Sequence, residues 1–156
     1  MNTAAKALVL AIFLVTAVLQ TSAVLIVPPV GAEEPPKFLA DLPVADSKRV
    51  PPEEYREASA RAALGSDPLD VALEVVGKFE GSTQSIFQVY DRSESPQASR
   101  ITVLRDGLMD DAVRGERWDI ALEKTAKNVW RIKEVHRSWR CWRGEQTNRF
   151  ASKLCP

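Results

Sequence analysis

The second half of the chain alternates apolar and polar residues in steps of two. Ser85 to Arg92 is β-rich, with Phe87 and Val89 on one face and Ile86 and Tyr90 on the other. Ser93 to Ala98 contains Pro96 and reads as a loop, and Ile101 to Leu104 is the next strand. Asp106-Gly107 between apolar runs is a hairpin signal. A third strand is expected from about Leu108 to Lys124, with a bulge or bend at Gly115. Within it Trp118, Ile120 and Leu122 alternate with Asp119, Ala121 and Glu123. Thr125 to Asn128 turns the chain, and Val129 to Trp142 forms the last strand. Trp130 and Ile132 share one parity, whereas Val135, Trp139 and Cys141 have the other. A slip near Lys133-Glu134 is therefore expected, and a β-bulge is the simplest way to make one.

Ahead of these strands the period changes. Pro51-Pro52-Glu53-Glu54 has the proline and acids of a helical first turn, Tyr55, Ala58 and Ala62 follow on one face, and Gly65 ends the run. Asp67 is an N-cap, Pro68 suits the first helical position and Asp70 favours the helix dipole. Leu69, Ala72, Leu73, Val76 and Phe79 recur at helical spacing, a stripe that demands a buried partner. The sheet supplies one. The expected fold class is α+β: one or two helices packed on a four-stranded antiparallel meander, spanning 53–156. In order of elements this resembles the cystatin and NTF2-like architecture of a helix on a curved sheet, a likeness that implies no function.

The N-terminus is of another kind. Lys6 precedes an apolar run from Ala7 to Leu19, and a second one spans Ala23 to Val30. A basic flank, an apolar stretch and small residues make a secretory signal pattern. Thr21-Ser22-Ala23 and Val30-Gly31-Ala32 both fit a cleavage site, and the second leaves a polar start at Glu33. The alternative is an uncleaved anchor, because Ala7 to Val30 is 24 residues long and about 20 cross a bilayer. Residues 1–32 are thus signal peptide or membrane anchor, and the remainder is expected outside the cytoplasm, periplasmic or extracellular. No cysteine lies here, which excludes lipid attachment at one. Pro28 to Pro52 carries seven prolines in 25 residues. Residues 33–52 therefore read as an extended tether.

Charge balances overall at 21 basic and 21 acidic residues, so no global affinity for polyanions is expected. Locally, Lys127 to Pro156 has eight Lys/Arg against two Glu, and Glu33 to Glu80 has eleven acids against six bases. A basic end invites an anionic partner or pairing with the acidic part.

Cys141 and Cys155 are the two cysteines, spaced without metal-finger or C-x-x-C signature. In an oxidising compartment they are expected to form one disulfide. Around the first of them runs the most distinctive stretch, Arg137-Ser138-Trp139-Arg140-Cys141-Trp142-Arg143-Gly144. Alternation puts Arg137, Trp139, Cys141 and Arg143 on one face, and Ser138, Arg140 and Trp142 on the other. One reading is structural: indoles pack on the disulfide and helix, and acids such as Asp110 and Asp111 neutralise the arginines. The other makes Trp139, Arg140, Trp142 and Arg143 a binding surface for an anion, because guanidinium forks suit phosphate and carboxylate. The partner would be an envelope protein, a lipid headgroup or an anionic envelope polymer. Nucleic acid is not expected there.

The segment Asp110-Asp111-Ala112-Val113-Arg114-Gly115-Glu116-Arg117-Trp118, with Trp130-Arg131-Ile132, Arg140-Cys141-Trp142-Arg143-Gly144 and the closing Cys155-Pro156, resembles the end of small uncharacterised exported bacterial proteins. The resemblance implies an envelope location and carries no catalytic assignment.

The signatures of common enzymes do not occur: no G-x-S-x-G, Walker loop or H-E-x-x-H. The one histidine, His136, shares a strand face with Glu134, the single acid-base pairing the pattern offers. No cofactor or metal is expected. The sequence favours a non-catalytic binding or assembly module. The alternative is a small-ligand-binding domain or enzyme with a pocket between helix and sheet.

Overall fold

The computed structural model describes residues 39–62 and 67–156. The export segment at 1–32, the first part of the proline-rich stretch and the helix stop expected at Gly65 lie outside the described residues. A 3-10 turn, Leu39–Asp41, leads into a short strand β1, Lys48–Arg49. Two helices follow, α1 at Pro52–Ala62 and α2 at Pro68–Val76. Four longer strands complete the fold: β2 Thr83–Tyr90, β3 Ala98–Asp106, β4 Val113–Lys124 and β5 Trp130–Cys141.

Every pairing between these strands is antiparallel, in the order β1-β5-β4-β3-β2, and one isolated bridge, Val44 to Phe150, is parallel. The α+β class holds, but the sheet has five strands rather than four. The extra strand comes from the proline-rich stretch, where Lys48 and Arg49 pair with Arg137 and His136. Pro43 and Pro51 bracket a segment that still has free backbone donors. Val50 N–H donates to Val135 C=O at 2.9 Å, and Ala45 N–H to Phe150 C=O at 2.8 Å. Proline density lowers the propensity for a strand but leaves an edge position open to the residues between.

Both expected bulges are present. β4 and β5 slip between Val113 and Gly115, where Arg114 is the extra residue, and between Ala121 and Leu122, opposite Lys133. The second slip returns Val135 and Trp139 to the face that carries Trp130 and Ile132. That face meets the helices. Val71, Ala72 and Val76 of α2 and Tyr55 of α1 pack on Ile101, Val103, Trp118, Ile120, Leu122, Trp130 and Val135. The α2 face is turned relative to the expected stripe: Val71 is fully buried, while Leu69 and Leu73 pack only partly.

The ends of α2 follow local chemistry. Asp67 Oδ1 accepts from Leu69 N–H at 2.8 Å, the expected N-cap. The helix stops three residues before Phe79, because Gly77 takes φ 73° and its N–H bonds Leu73 C=O. The hairpin also differs. Gly107 adopts the expected left-handed φ of 64°, yet β4 begins at Val113, not near Leu108. Asp110 Oδ1 accepts from the N–H groups of Ala112 and Val113 at 2.8 and 2.6 Å, which folds the intervening residues into a longer loop.

Candidate binding surface

The sequence motif Trp139 to Arg143 divides on folding. Trp139 lies on the helix face of β5, buried, with the Arg137 guanidinium 5.2 Å from its ring centroid. Arg137 also sits 4.3 Å over Trp118 and donates to Glu116 Oε2. Arg140 points to the opposite face and is buried as well. Burial lowers its pKa, the Asp106 carboxylate 3.7 Å away offsets this only in part, and the charge of Arg114 adds to the lowering. Asp106, and not Asp110 or Asp111, is therefore the acid that Arg140 faces. Cys141 ends the strand in a disulfide with Cys155, the Cα atoms 5.5 Å apart. A bonded pair of this kind fits an oxidising compartment.

Trp142 and Arg143 lie beyond the strand and remain exposed. Trp142 is held in place although 45% of it is accessible. Its backbone N–H bonds Ala112 C=O at 3.0 Å, and its indole Nε1–H bonds Asp110 C=O at 2.9 Å. The Arg114 guanidinium stacks 5.0 Å from the ring centroid. Arg114 is in turn positioned by Asp106, with Nε 3.5 Å from Oδ1. The β4 bulge aims Arg114 this way, and Gly115 beside it leaves room. A Cβ on Gly115 would stand 2.9 Å from Asp106 Oδ1 and 2.6 Å from Arg105 C=O. The loop tip adds Met109, 90% exposed. Arg114 and Met109 are the members of this surface that the motif did not contain. The signal for Arg114 was its place beside the glycine of an expected bulge.

The surface is thus one tryptophan ring fixed by backbone bonds, capped by one arginine, flanked by Arg143 and a methionine. The Asp110 carboxylate is turned inward onto its own loop, and those two amide bonds hold its pKa below the usual range. Asp110 and Asp111 are both exposed, but the Asp110 carboxylate is taken up by the two amides.

A second feature lies on the sheet face away from the helices. A half-open cavity of about 260 Å³ is lined by Ser47, Arg100, Arg117, Asp119, Ala121, Glu134 and His136. Its charges largely satisfy each other. Asp119 loses hydration by burial, but hydrogen bonds from Arg117 and Thr102 and the charges of Arg117 and Arg100 outweigh that loss and lower its pKa. Arg117 Nε donates to Asp119 Oδ2 at 2.7 Å. His136 Nε2 lies 3.7 Å from Glu134 Oε2, and Nδ1 lies 3.2 Å from Ser47 Oγ. Glu134 and His136 therefore share a face as expected, with Ser47 from the proline-rich stretch beside them. Comparison with protein-family models, with curated proteins and with solved structures gives no match, so the reading of this surface rests on its geometry alone.

Proposed function

We propose that this domain is a non-catalytic binding module that docks an anionic component of the cell envelope against Trp142, Arg114 and Arg143. The observation that carries the proposal is the fixed, solvent-facing indole of Trp142. An aromatic side chain exposed at 45% gains little for stability, yet its ring is ordered by Asp110, Ala112 and Arg114. An ordered anchor spares a partner the entropy of arranging it. Arginine and tryptophan are the side chains that most often dominate such contacts. Arg143 makes no ion pair among the described residues and supplies a free guanidinium for phosphate or carboxylate.

The test uses the exported chain with vesicles of phosphatidylglycerol or phosphatidylcholine, and with isolated peptidoglycan. Binding to the anionic material is expected to weaken as salt rises. A basic residue near an anionic surface contributes about 1 kcal/mol. Arg114→Ala plus Arg143→Ala is therefore expected to weaken binding by roughly tenfold or more. Vesicle and polymer arms separate a lipid from a wall partner. Salt-independent binding, or none to either material, overturns the proposal.

A second reading takes a small polar ligand into the cavity around Arg100, Arg117 and His136. It uses this cavity rather than one between helix and sheet, where Val71, Ile101, Ile120 and Val135 are buried together. Arg100→Ala abolishing binding of a small anion, with Trp142→Ala silent, would favour it.

A further inference from the structure

Strand β2 is an edge that nothing in its own sequence protects. Among the described residues it pairs only with β3, and its eight residues, TQSIFQVY, hold no charge and no proline. Natural edges are normally blunted by lysine, proline or a bulge. Here the β2–β3 register runs without a shift from Thr83 to Tyr90. Large apolar side chains are exposed on both faces: Ile86 and Tyr90 on the helix side, Phe87 and Val89 on the other. Asp91 N–H bonds Ala98 C=O. Antiparallel alternation then turns the backbone groups of Gln84, Ile86, Gln88 and Tyr90 toward the open edge.

We propose that β2 pairs with β2 of a second copy of this chain, antiparallel across a twofold axis, so that the two sheets become one. The charges that flank the strand favour a second copy as the occupant. Lys78 and Glu80 precede β2, and Arg92 and Glu94 follow it, all four exposed. Antiparallel self-pairing brings the start of one strand to the end of the other. With Ile86 opposite Ile86 of the second copy, Glu80, just ahead of β2, comes near Arg92, just past its end, so both ends attract; Arg92 also holds Asp91 of its own chain at 3.0 Å. This register also sets Gln84 opposite Gln88, and Phe87 and Val89 opposite Ser85 and Thr83. Each apolar ring or branch thereby lies over a small side chain.

Light scattering of the exported chain during gel filtration, from about 1 µM to 1 mM, is the test. A mass rising from one chain to two is expected. Ile86→Arg places two arginines side by side at the axis, and the chain is expected to stay monomeric and folded because this residue is exposed. Arg92→Glu sets like charges at both ends and is expected to weaken the dimer roughly tenfold. Adding Glu80→Arg to it reverses both partners and is expected to restore the dimer to within about twofold. A chain that remains monomeric at every concentration overturns the proposal. So does a dimer that Ile86→Arg leaves intact, or one that the charge exchange fails to restore.

Discussion

Arg105 Nη1 lies 3.2 Å from Glu116 Oε1, and both side chains are buried. The pair does more than neutralise itself. Arg105 also donates to Val76 C=O at 3.0 Å and Gly77 C=O at 2.5 Å, closing the C-terminus of α2. Its Nε bonds Gln84 of β2 at 2.9 Å. Glu116 accepts from Arg137 with its other oxygen. One buried carboxylate thus links β3, β4 and β5, and one guanidinium ties a helix end to the sheet, where a cation suits the helix dipole.

Removing one member of a buried pair leaves the other charge without compensation, at a cost of about 3–5 kcal/mol. Glu116→Gln is expected to lower stability by that order, and Arg105→Ala by at least as much, since two helix carbonyls lose their donor. Urea unfolding followed by tryptophan fluorescence measures both. A loss below about 1 kcal/mol for Glu116→Gln would show that Arg105 and Arg137 find other partners.

The disulfide closes a short loop, with a sequence separation of 14. In the chain-entropy account such a loop is worth about 3 kcal/mol. The double substitution Cys141→Ala, Cys155→Ala is expected to lower the urea midpoint accordingly. Tail amides such as Ala151, which pairs with Trp139, are expected to exchange faster. Hydrogen exchange of that backbone separates local loosening of the tail from global loss.

Arg140 and Arg143 stand three residues apart in the same motif but are expected to fail in different assays. Arg140 is buried and faces Asp106, so Arg140→Ala is expected to destabilise the fold by several kcal/mol. Arg143 is exposed, so Arg143→Ala is expected to leave thermal unfolding unchanged while weakening binding to anionic vesicles. Asp111→Asn removes an exposed acid of the neighbouring loop and is expected to strengthen that binding.

Four aspartates, Asp46, Asp91, Asp110 and Asp119, have pKa values below the ordinary carboxylate range. For Asp46, Asp91 and Asp110 the first cause is a backbone amide that bonds the carboxylate. For Asp119, burial opposes the charge and the Arg117 and Thr102 bonds outweigh it. A folded-state pKa below the unfolded one stabilises the protein above the unfolded value, near pH 4, and the gain is lost as pH falls through the folded value. Stability is therefore expected to be flat from about pH 5 to 7 and to drop below about pH 4. Asp119→Asn is expected to flatten that drop. An unchanged acid slope in this variant would assign the loss to the other three.

Gly115 is required by space rather than by φ. A Cβ there meets Arg105 C=O at 2.6 Å, a backbone atom that cannot swing away. Gly115→Val is expected to cost about 1–3 kcal/mol as the bulge opens. Because the bulge aims Arg114, the same variant is expected to lose the ordered fluorescence of Trp142.

By itself the sequence determined what is local. The two-residue alternation of Trp118, Ile120 and Leu122 placed β4 and its buried face. The parity change between Ile132 and Val135 located a bulge, because a strand can move its apolar set to the other face only by an extra residue. Asp67-Pro68 set the start of α2, and the lone cysteine pair set the disulfide. Tertiary structure decided what depends on residues distant in the chain. Edge strand β1 forms because β5 offers an open edge to Lys48 and Arg49, and no local propensity in a proline-rich segment carries that information. The same holds for the motif Trp139 to Arg143. Strand alternation separated Trp139 from Arg140 correctly, yet which arginine is buried depends on Asp106 of β3, reached across Gly115 of β4. Trp142 stays outside because the strand ends at Cys141 and the β3–β4 loop, folded by Asp110, reaches its indole from the side.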